Sequence, residues 1–418
     1  MKIAIIGSGI SGMLSGYLLS RKHEITLFEA NSLLGGHTHT RTVTVPSGDY
    51  AVDTGFIVFN DWTYPNFIHL MNQIGVTWKD SSMSFSVRSE KSGLEYNGTS
   101  IDTLFAQRSN LLRPSFYRMI RDILKFNQES LQVLDWQTSP TLGEFLRSKN
   151  YSSQFCEDYI LPMGASIWSG SPEQILSFPI KHFVRFFKNH GMLSVDDRPV
   201  WKVILGGSSS YIEPLTRSFR SQIRVHCPVQ RVRRSREGAE VEWLDRTTGT
   251  QHQDHFDQVV FACHSDQTQA LIADQNPLEN QIVSAFKYQP NSVVLHTDIR
   301  LLPKNKKAWA AWNYVVPRQE AQSPAVTYNM NILQGIQSPE TFCVSLNQDA
   351  EIDSKKILAR LTYDHPVYSD AAFAAQDRWS EISGTNRYHY CGAYWGFGFH
   401  EDGVKSALRV CEQLGVTL

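Results

Sequence analysis

The sequence predicts an α/β fold in which a parallel sheet carries a glycine-rich turn and an α+β region is inserted into the chain. Two observations predict it. The chain starts with the apolar run Ile3 to Ile6, followed without a gap by Gly7, Gly9 and Gly12, and one helix's length later by Ile25 to Phe28 and Glu29. Farther on, apolar residues over 101–190 recur at helical spacing, whereas 285–350 breaks into short strand-like runs, so a helical layer and a second sheet accompany the first.

The elements follow in order. Ile3 to Ile6 reads as a buried parallel strand. Gly7 permits the sharp turn after it, Gly9 removes a side chain where backbone must approach a pyrophosphate, and Gly12 lets a helix over 11–21 pack on the sheet. The first backbone N–H groups of that helix, around Ile10 and Ser11, then face phosphate with the positive end of the helix dipole behind them. Glu29, closing a strand over 25–29, is placed to accept from a ribose hydroxyl. A carboxylate there repels a 2′-phosphate, which favours FAD or NAD over NADP. Strand, spacing, helix and acid coincide, so the unit reads as Rossmann-like, which a glycine turn alone would not establish.

FAD and NAD are separated by the continuation Glu29-Ala30-Asn31-Ser32-Leu33-Leu34-Gly35-Gly36-His37-Thr38-His39-Thr40 and by Val52-Asp53-Thr54-Gly55-Phe56. These stretches resemble the flavin-containing amine oxidase and phytoene desaturase superfamily, which includes monoamine oxidases, protoporphyrinogen oxidase and carotenoid desaturases. The resemblance implies an FAD wrapped by Ala30, Gly35, Gly36, His37, Thr38, Gly55 and Phe56. It is imperfect, because the family commonly flanks its Gly-Gly pair with arginines and this chain has Leu33 and His37. Val203 to Ser208, Ile223 to Val229 and Phe256 to His264 are similar to the family's middle segments, which implies a backbone contact of Val229 with adenine and places Ala262 in the site. Tyr390 to Val404 is similar to its C-terminal motif. There the resemblance implies that Gly392 meets the pyrophosphate, and that Asp402, Gly403 and Val404, opening a helix over 404–414, face the flavin's C2 carbonyl and N1. A helix dipole at that point would stabilise the charge of reduced flavin. The phrases Leu295 to Asp298, Ala308 to Tyr314, Thr327 to Asn331 and Gly398 to Gly403 resemble a bacterial NAD/FAD-binding subgroup associated with cyclopropane-fatty-acid-synthase-like methyltransferases.

The order of these blocks predicts a discontinuous FAD-binding domain from 1–75, 200–275 and 380–418, with a substrate domain from 76–199 and 276–379. Apolar residues make up 41% and charged residues 19%, enough to build a core without a membrane span. A net charge of −1 argues against a dedicated nucleic-acid binder. No run approaches the ~18 apolar residues of a transmembrane helix, and Gly7, Ser8, Gly9, Ser11 and Gly12 interrupt what would otherwise mimic a signal peptide. Six scattered cysteines without a CxxC pair read as reduced thiols in a cytoplasmic protein.

At the end of the first FAD-binding segment Asp61 to Gly75 reads as a helix with Pro65 in its first turn, and within the inserted regions 80–98 reads as a hairpin turning at Ser92-Gly93. Lys181 to Lys188 mixes bases and aromatics; a packed helix with a solvated basic edge is favoured over a face in peripheral contact with membrane. Ser292 to Asp298, Ala308 to Val316, Ala325 to Met330 and Phe342 to Leu346 read as strands, and Gln319 to Pro324 as a short loop.

A flavin supplies the redox chemistry, so few catalytic side chains need to be visible. Tyr394 and Trp395, within Tyr394-Trp395-Gly396-Phe397-Gly398-Phe399, are candidates for a wall near the ring, weighed evenly against core packing. His400 is a candidate base or flavin partner, and Glu401 and Asp402 are helix-capping acids. His37 and His39 have no third ligand at recognisable spacing, so no metal is expected. Ser208 to Ser210 lack the Lys-Ser/Thr of a P-loop. Many amine oxidases of the superfamily hold a lysine near flavin N5, but the similar strand Pro290 to Leu295 has none and Lys287 lies upstream. The expectation is an FAD-dependent oxidoreductase taking a hydride from a substrate C–H, desaturating a fatty acyl or other lipid-like small molecule. The alternatives are an amine oxidase and a redox-inactive FAD-binding partner of a lipid-modifying methyltransferase. The electron acceptor is left unassigned.

Overall fold

In the computed structural model, which describes residues 1–318 and 325–418, the N-terminal apolar run becomes strand β1 (Lys2–Ile6), followed by helix α1 (Ile10–Leu19) and strand β2 (Glu24–Phe28). Five parallel strands form one sheet in the order Ile223–Arg224, β2, β1, Gln258–Phe261, Tyr388–Tyr390. Three distant stretches of chain therefore meet edge to edge. The register aligns Ile6 with Phe28 and with Phe261, and Phe261 with Tyr390, so the strands end at one level. Such a common carboxyl edge is where open α/β sheets bind ligands.

A second, seven-stranded sheet runs in the order Ile357–Val367, Lys287–His296, Cys343–Leu346, Val326–Asn329, Trp312–Val316, Phe85–Ser89, Glu95–Asn97. Its pairs are antiparallel except Trp312–Val316 with Phe85–Ser89. The expected hairpin forms its last two strands. The strand expected from Ala308 starts at Trp312, because Lys306–Ala308 forms a 3₁₀ turn. Ile357–Val367, the 11-residue edge strand, was not expected from the sequence: Pro366 argues against a strand, but an edge tolerates it. The expected loop Gln319 to Pro324 lies outside the described residues.

Helices fill 101–190 as expected. Thr141 caps Leu142–Ser148 through a reciprocal box with Glu144, and Pro65 opens helix α2 (Pro65–Gln73). In Ile180–Asn189 the aromatics face inward: Phe183 stacks on Phe187 at 4.3 Å and Phe186 on Phe399 at 5.1 Å. The helix therefore has its bases, not its rings, at the surface, which gives the packed alternative and removes these aromatics from any membrane face. Among the described residues no helix is long and apolar enough to cross a membrane.

Candidate functional site

A cavity of about 1920 Å³ opens along the carboxyl edge of the parallel sheet and continues under the seven-stranded sheet and the helices. Its first wall is the glycine turn. Gly7 has φ +102°, and a Cβ there would meet Ala262 backbone at 3.0 Å. A Cβ on Gly12 would lie 1.9 Å from the Gly7 carbonyl oxygen, so Gly12 seats α1 on the turn and does not itself line the cavity. A Cβ on Gly9 would meet nothing within 4 Å, because that face is open to the cavity. No side chain caps α1, leaving the backbone N–H groups of its first turn at Ile10 and Ser11 toward the cavity. Beyond β2, the Glu29 carboxylate accepts from Ser8 N–H (3.1 Å), Ser8 Oγ (2.5 Å) and Asn31 N–H (2.8 Å), fixed at the cavity wall beside Ala30.

The second glycine pair folds onto the first turn. Gly35 N–H donates to the Ser8 carbonyl at 3.1 Å, and Gly36, at φ +59°, approaches Gly9 so closely that a Cβ would be 3.3 Å from its Cα. Phe56 N–H donates to the His37 carbonyl at 2.7 Å, and a Cβ on Gly55 would clash with that oxygen at 2.1 Å. His37, Thr38, Gly55 and Phe56 consequently occupy one corner of the cavity. Behind them Asp53 binds Thr40 Oγ1 (2.6 Å), Ser208 N–H (2.8 Å) and Ser208 Oγ (2.9 Å) through Oδ1, while Oδ2 is buried without a partner. Burial pushes this carboxyl up to about 6. It ties the turn at Gly207-Ser208 to the cavity wall.

The C-terminal helix starts earlier than the sequence suggested, at His400 instead of Val404, and this moves its contribution. It reaches the cavity through Phe399 and His400, whereas Asp402, Gly403 and Val404 do not line it. Asp402 Oδ2 turns back to accept from Phe397 and Phe399 N–H, both at 3.0 Å, with its carboxyl raised to about 6 by burial. Gly403 packs on Ile10 and Ser11, whose Oγ donates to the Gly403 carbonyl at 2.8 Å. Val404 is core. Glu401 does not cap its own helix; it accepts from Asn66 and Phe67 N–H at the start of α2. His400 stacks on Phe56 at 3.5 Å, and its Nε2 lies 2.9 Å from Thr38 Oγ1 and 3.1 Å from Tyr211 OH. Desolvation lowers its pKa to about 3, so at neutral pH it is an uncharged ring committed to those hydroxyls. That makes it a positioning residue. Tyr394 lines the cavity; Trp395 does not, packing instead on Phe286 at 5.1 Å. Gly392, Val229 and Ala262 line it as well.

Sequence reasoning missed a cluster of imidazoles. His37 lies 5.7 Å, ring to ring, from both His264 and His365, and 5.1 Å from Tyr363; His264 stacks on Tyr288 at 4.5 Å. Burial lowers all three imidazoles, His365 to about 4. His365 and Tyr363 come from the unexpected edge strand; the alternation Leu361-Tyr363-His365 was the available signal. Also missed were Arg217 and Arg220, cavity-lining cations from the turn after the 212–216 helix. Arg217 is paired with Glu213, itself on the cavity wall, at 2.7 Å. His39 points to Tyr363 OH at 3.1 Å, and among the described residues no three His, Cys, Asp or Glu side chains are placed to hold a metal.

Residues 10–317 match the family described as flavin containing amine oxidoreductase. The chain belongs to this family. It is an FAD-dependent oxidoreductase with the amine-oxidase-like fold. Similar solved structures include cyclohexylamine oxidase from Brevibacterium oxydans (14% identity, 99% of each chain, TM-score 0.69). A putative protoporphyrinogen oxidase from Exiguobacterium (16%, 99% and 98%, 0.69) and a CLA-producing fatty acid isomerase from P. acnes (14%, 97% and 96%, 0.67) are similar to a like extent. At these identities they share the fold.

The cavity of this flavin amine oxidoreductase suits FAD on its own features. Gly9 leaves backbone open to a pyrophosphate, Glu29 is held in place for a ribose, and His37 Nε2 and His264 Nδ1 are buried polar atoms without protein partners. Its volume is also about twice the roughly 1,000 Å³ at the upper end for drug-sized ligands, leaving space for a substrate beside the cofactor.

Proposed function

We propose that this oxidoreductase desaturates a fatty acyl chain of an apolar, lipid-like substrate: one carbon gives up a hydride, its neighbour releases a proton to solvent, and the C=C bond forms between them, in keeping with a bacterial subgroup some of whose relatives act on methylated fatty acyl chains. The observation that carries the reading is the lining of the cavity away from the glycine turn. Met83, Phe85, Met163, Ile167, Met192 and Leu333 make an apolar chamber, and among the described residues no lysine reaches the cavity. Lys287 is exposed at the start of its strand. Both points weigh against an amine oxidase.

FAD, when bound, supplies hydride acceptance and returns the electrons to an acceptor. The residues of the chain do the rest. Gly7, Gly9, Ile10 and Ser11 would present backbone to the pyrophosphate, Glu29 would accept from a ribose hydroxyl, and Gly36, Thr38 and Phe56 would hold the flavin end. Tyr394 and Phe399 would exclude water from that end, and His400 fixes Phe56, Thr38 and Tyr211. We assign 1–75, 200–275 and 380–418 to the FAD-binding domain and 76–199 and 276–379 to the substrate domain. We place the protein in the cytoplasm.

The test is anaerobic titration of the purified yellow protein. Bleaching of the flavin band by phospholipids with saturated or methyl-branched acyl chains supports the proposal. Bleaching by cyclohexylamine or another primary amine, without bleaching by acyl lipid, overturns it in favour of amine oxidation. Bleaching by neither overturns it in favour of a redox-inactive partner of a lipid-modifying methyltransferase.

A further inference from the structure

Residues 101–131 leave an unusual set of apolar side chains in solvent. Leu112 is 87% exposed, Ile101 80%, and Leu111, Tyr117 and Leu124 nearly half, with Leu131 beyond them. Single exposed apolar residues need no explanation, but these six fall within one 31-residue stretch whose elements pack on one another. Phe105, at the end of the short helix Ile101–Leu104, packs on Phe116 at 5.5 Å and on Tyr117 at 5.9 Å, and Tyr117 OH donates to the Leu111 carbonyl at 3.1 Å. Within the helix Pro114–Glu129, Tyr117, Arg121 and Leu124 fall at i, i+4 and i+7, one face, with Tyr117 and Leu124 about 10 Å apart. The opposite face, Phe116, Met119 and Phe126, is core.

The unpaired exposed charge among these residues has one sign. Arg118 and Arg121 are exposed and have no carboxylate at ion-pair distance among the described residues. The acids of the segment are already committed. Asp102 is held by Arg108 (2.6 Å) and Lys307 (3.3 Å), Glu129 lies 4.0 Å from Lys125, and Asp122 is buried and accepts from Ser152 N–H at 3.0 Å. Leucine, isoleucine and tyrosine among unpaired arginines match a surface that is anionic at its headgroups and apolar just beneath. None of these residues lines the cavity.

We propose that this face, centred on Leu112, Tyr117, Arg118, Arg121 and Leu124, seats the protein on an anionic lipid bilayer as a peripheral attachment, without spanning it. The inference is independent of which substrate the cavity takes. Leu111 and Leu112 enter the acyl boundary, and the arginines meet lipid phosphates. It differs from the attachment considered for Lys181 to Lys188, whose rings are internal.

Sedimentation of the FAD-loaded protein with vesicles tests it. The expected result is binding to vesicles of phosphatidylcholine mixed with phosphatidylglycerol, little binding to phosphatidylcholine alone, and release at high salt. Arg118→Glu is expected to lower partitioning roughly twenty-five-fold, since each unit of charge near an anionic surface is worth a factor of about five and the substitution changes two. Leu112→Glu is expected to lower it too. Both positions are exposed, so the flavin spectrum and circular dichroism should be those of the wild type. Equal binding to both vesicle types, or none to either, overturns the proposal. So does a wild-type dimer by light scattering that Leu112→Glu converts to monomer without any change in sedimentation, which would make the face a contact between copies.

Discussion

Gly9 and Gly12 sit three residues apart and have different tasks. A side chain at Gly9 projects into open space, one at Gly12 into the Gly7 carbonyl. Gly9→Val is therefore expected to fold with an unchanged Tm in the apo form and to lose FAD on gel filtration, whereas Gly12→Val should lose both thermal stability and FAD. A Gly9→Val protein that retains stoichiometric FAD would remove the turn from the cofactor site. His400 carries a pH signature. Its folded pKa of about 3 lies below the ordinary 6.5, so the folded state binds fewer protons than the unfolded chain between those values. Its contribution to stability is complete above pH 6.5 and is lost as pH falls, at up to about 1.4 kcal/mol per pH unit. His400→Asn should flatten the denaturation midpoint against pH between 4 and 6.5; an unaltered slope would mean that the imidazole is not held neutral.

At the level of elements, the start of the C-terminal helix decides which residues reach the cavity. Asp402 holds the preceding turn through one oxygen that accepts from both Phe397 and Phe399 N–H. Asparagine can supply the same acceptor, and the carboxyl it replaces is pushed up to about 6, so Asp402→Asn should shift stability by less than ~1 kcal/mol at pH 7. Asp402→Ala leaves two N–H groups unpaired and should cost about 2 kcal/mol or more, with loss of FAD. Urea unfolding distinguishes them, and equal losses for both variants would refute this account of the turn. The same helix shows where sequence reading stops. His400 was identified as chemistry-bearing because imidazoles titrate near neutrality, but its ring is stacked on Phe56 and bonded to Thr38 and Tyr211, residues 344, 362 and 189 positions away. No local pattern reports such partners. The edge strand Ile357–Val367 escaped for another reason: its strand character comes from ten partner positions on Lys287–His296, against the local signal of Pro366.

Across the whole molecule, one ligand is expected to bridge pieces of chain that share few local contacts. The cavity is lined from Gly7, from Glu29 to Phe56, from Val229, from Ala262 to His264 and from Gly392 to His400. A group bound across all of them stabilises the folded state alone, by about 2.7 kcal/mol at a free concentration a hundred times its Kd. Removing FAD should lower Tm by several degrees and adding it back should restore the loss, measured by differential scanning fluorimetry. A Tm indifferent to FAD would contradict a site shared between distant segments.

The sequence by itself determined the glycine turn, the acid that follows β2, the alternation of a parallel sheet with an inserted helical and mixed-sheet region, and through its motifs FAD. Each rests on short motifs read locally: a turn, a strand and a helix start need only neighbouring residues, even where the sheet they build joins distant stretches. Only the tertiary structure decided that His400 is a neutral positioning residue, that Asp402, Gly403 and Val404 stand behind the cavity, that three imidazoles meet at His37, and that Arg217 and Arg220 reach the cavity. Those outcomes depend on burial and on contacts between residues far apart in the chain, and desolvation, which sets the charge of each histidine, exists only once the chain has closed around it.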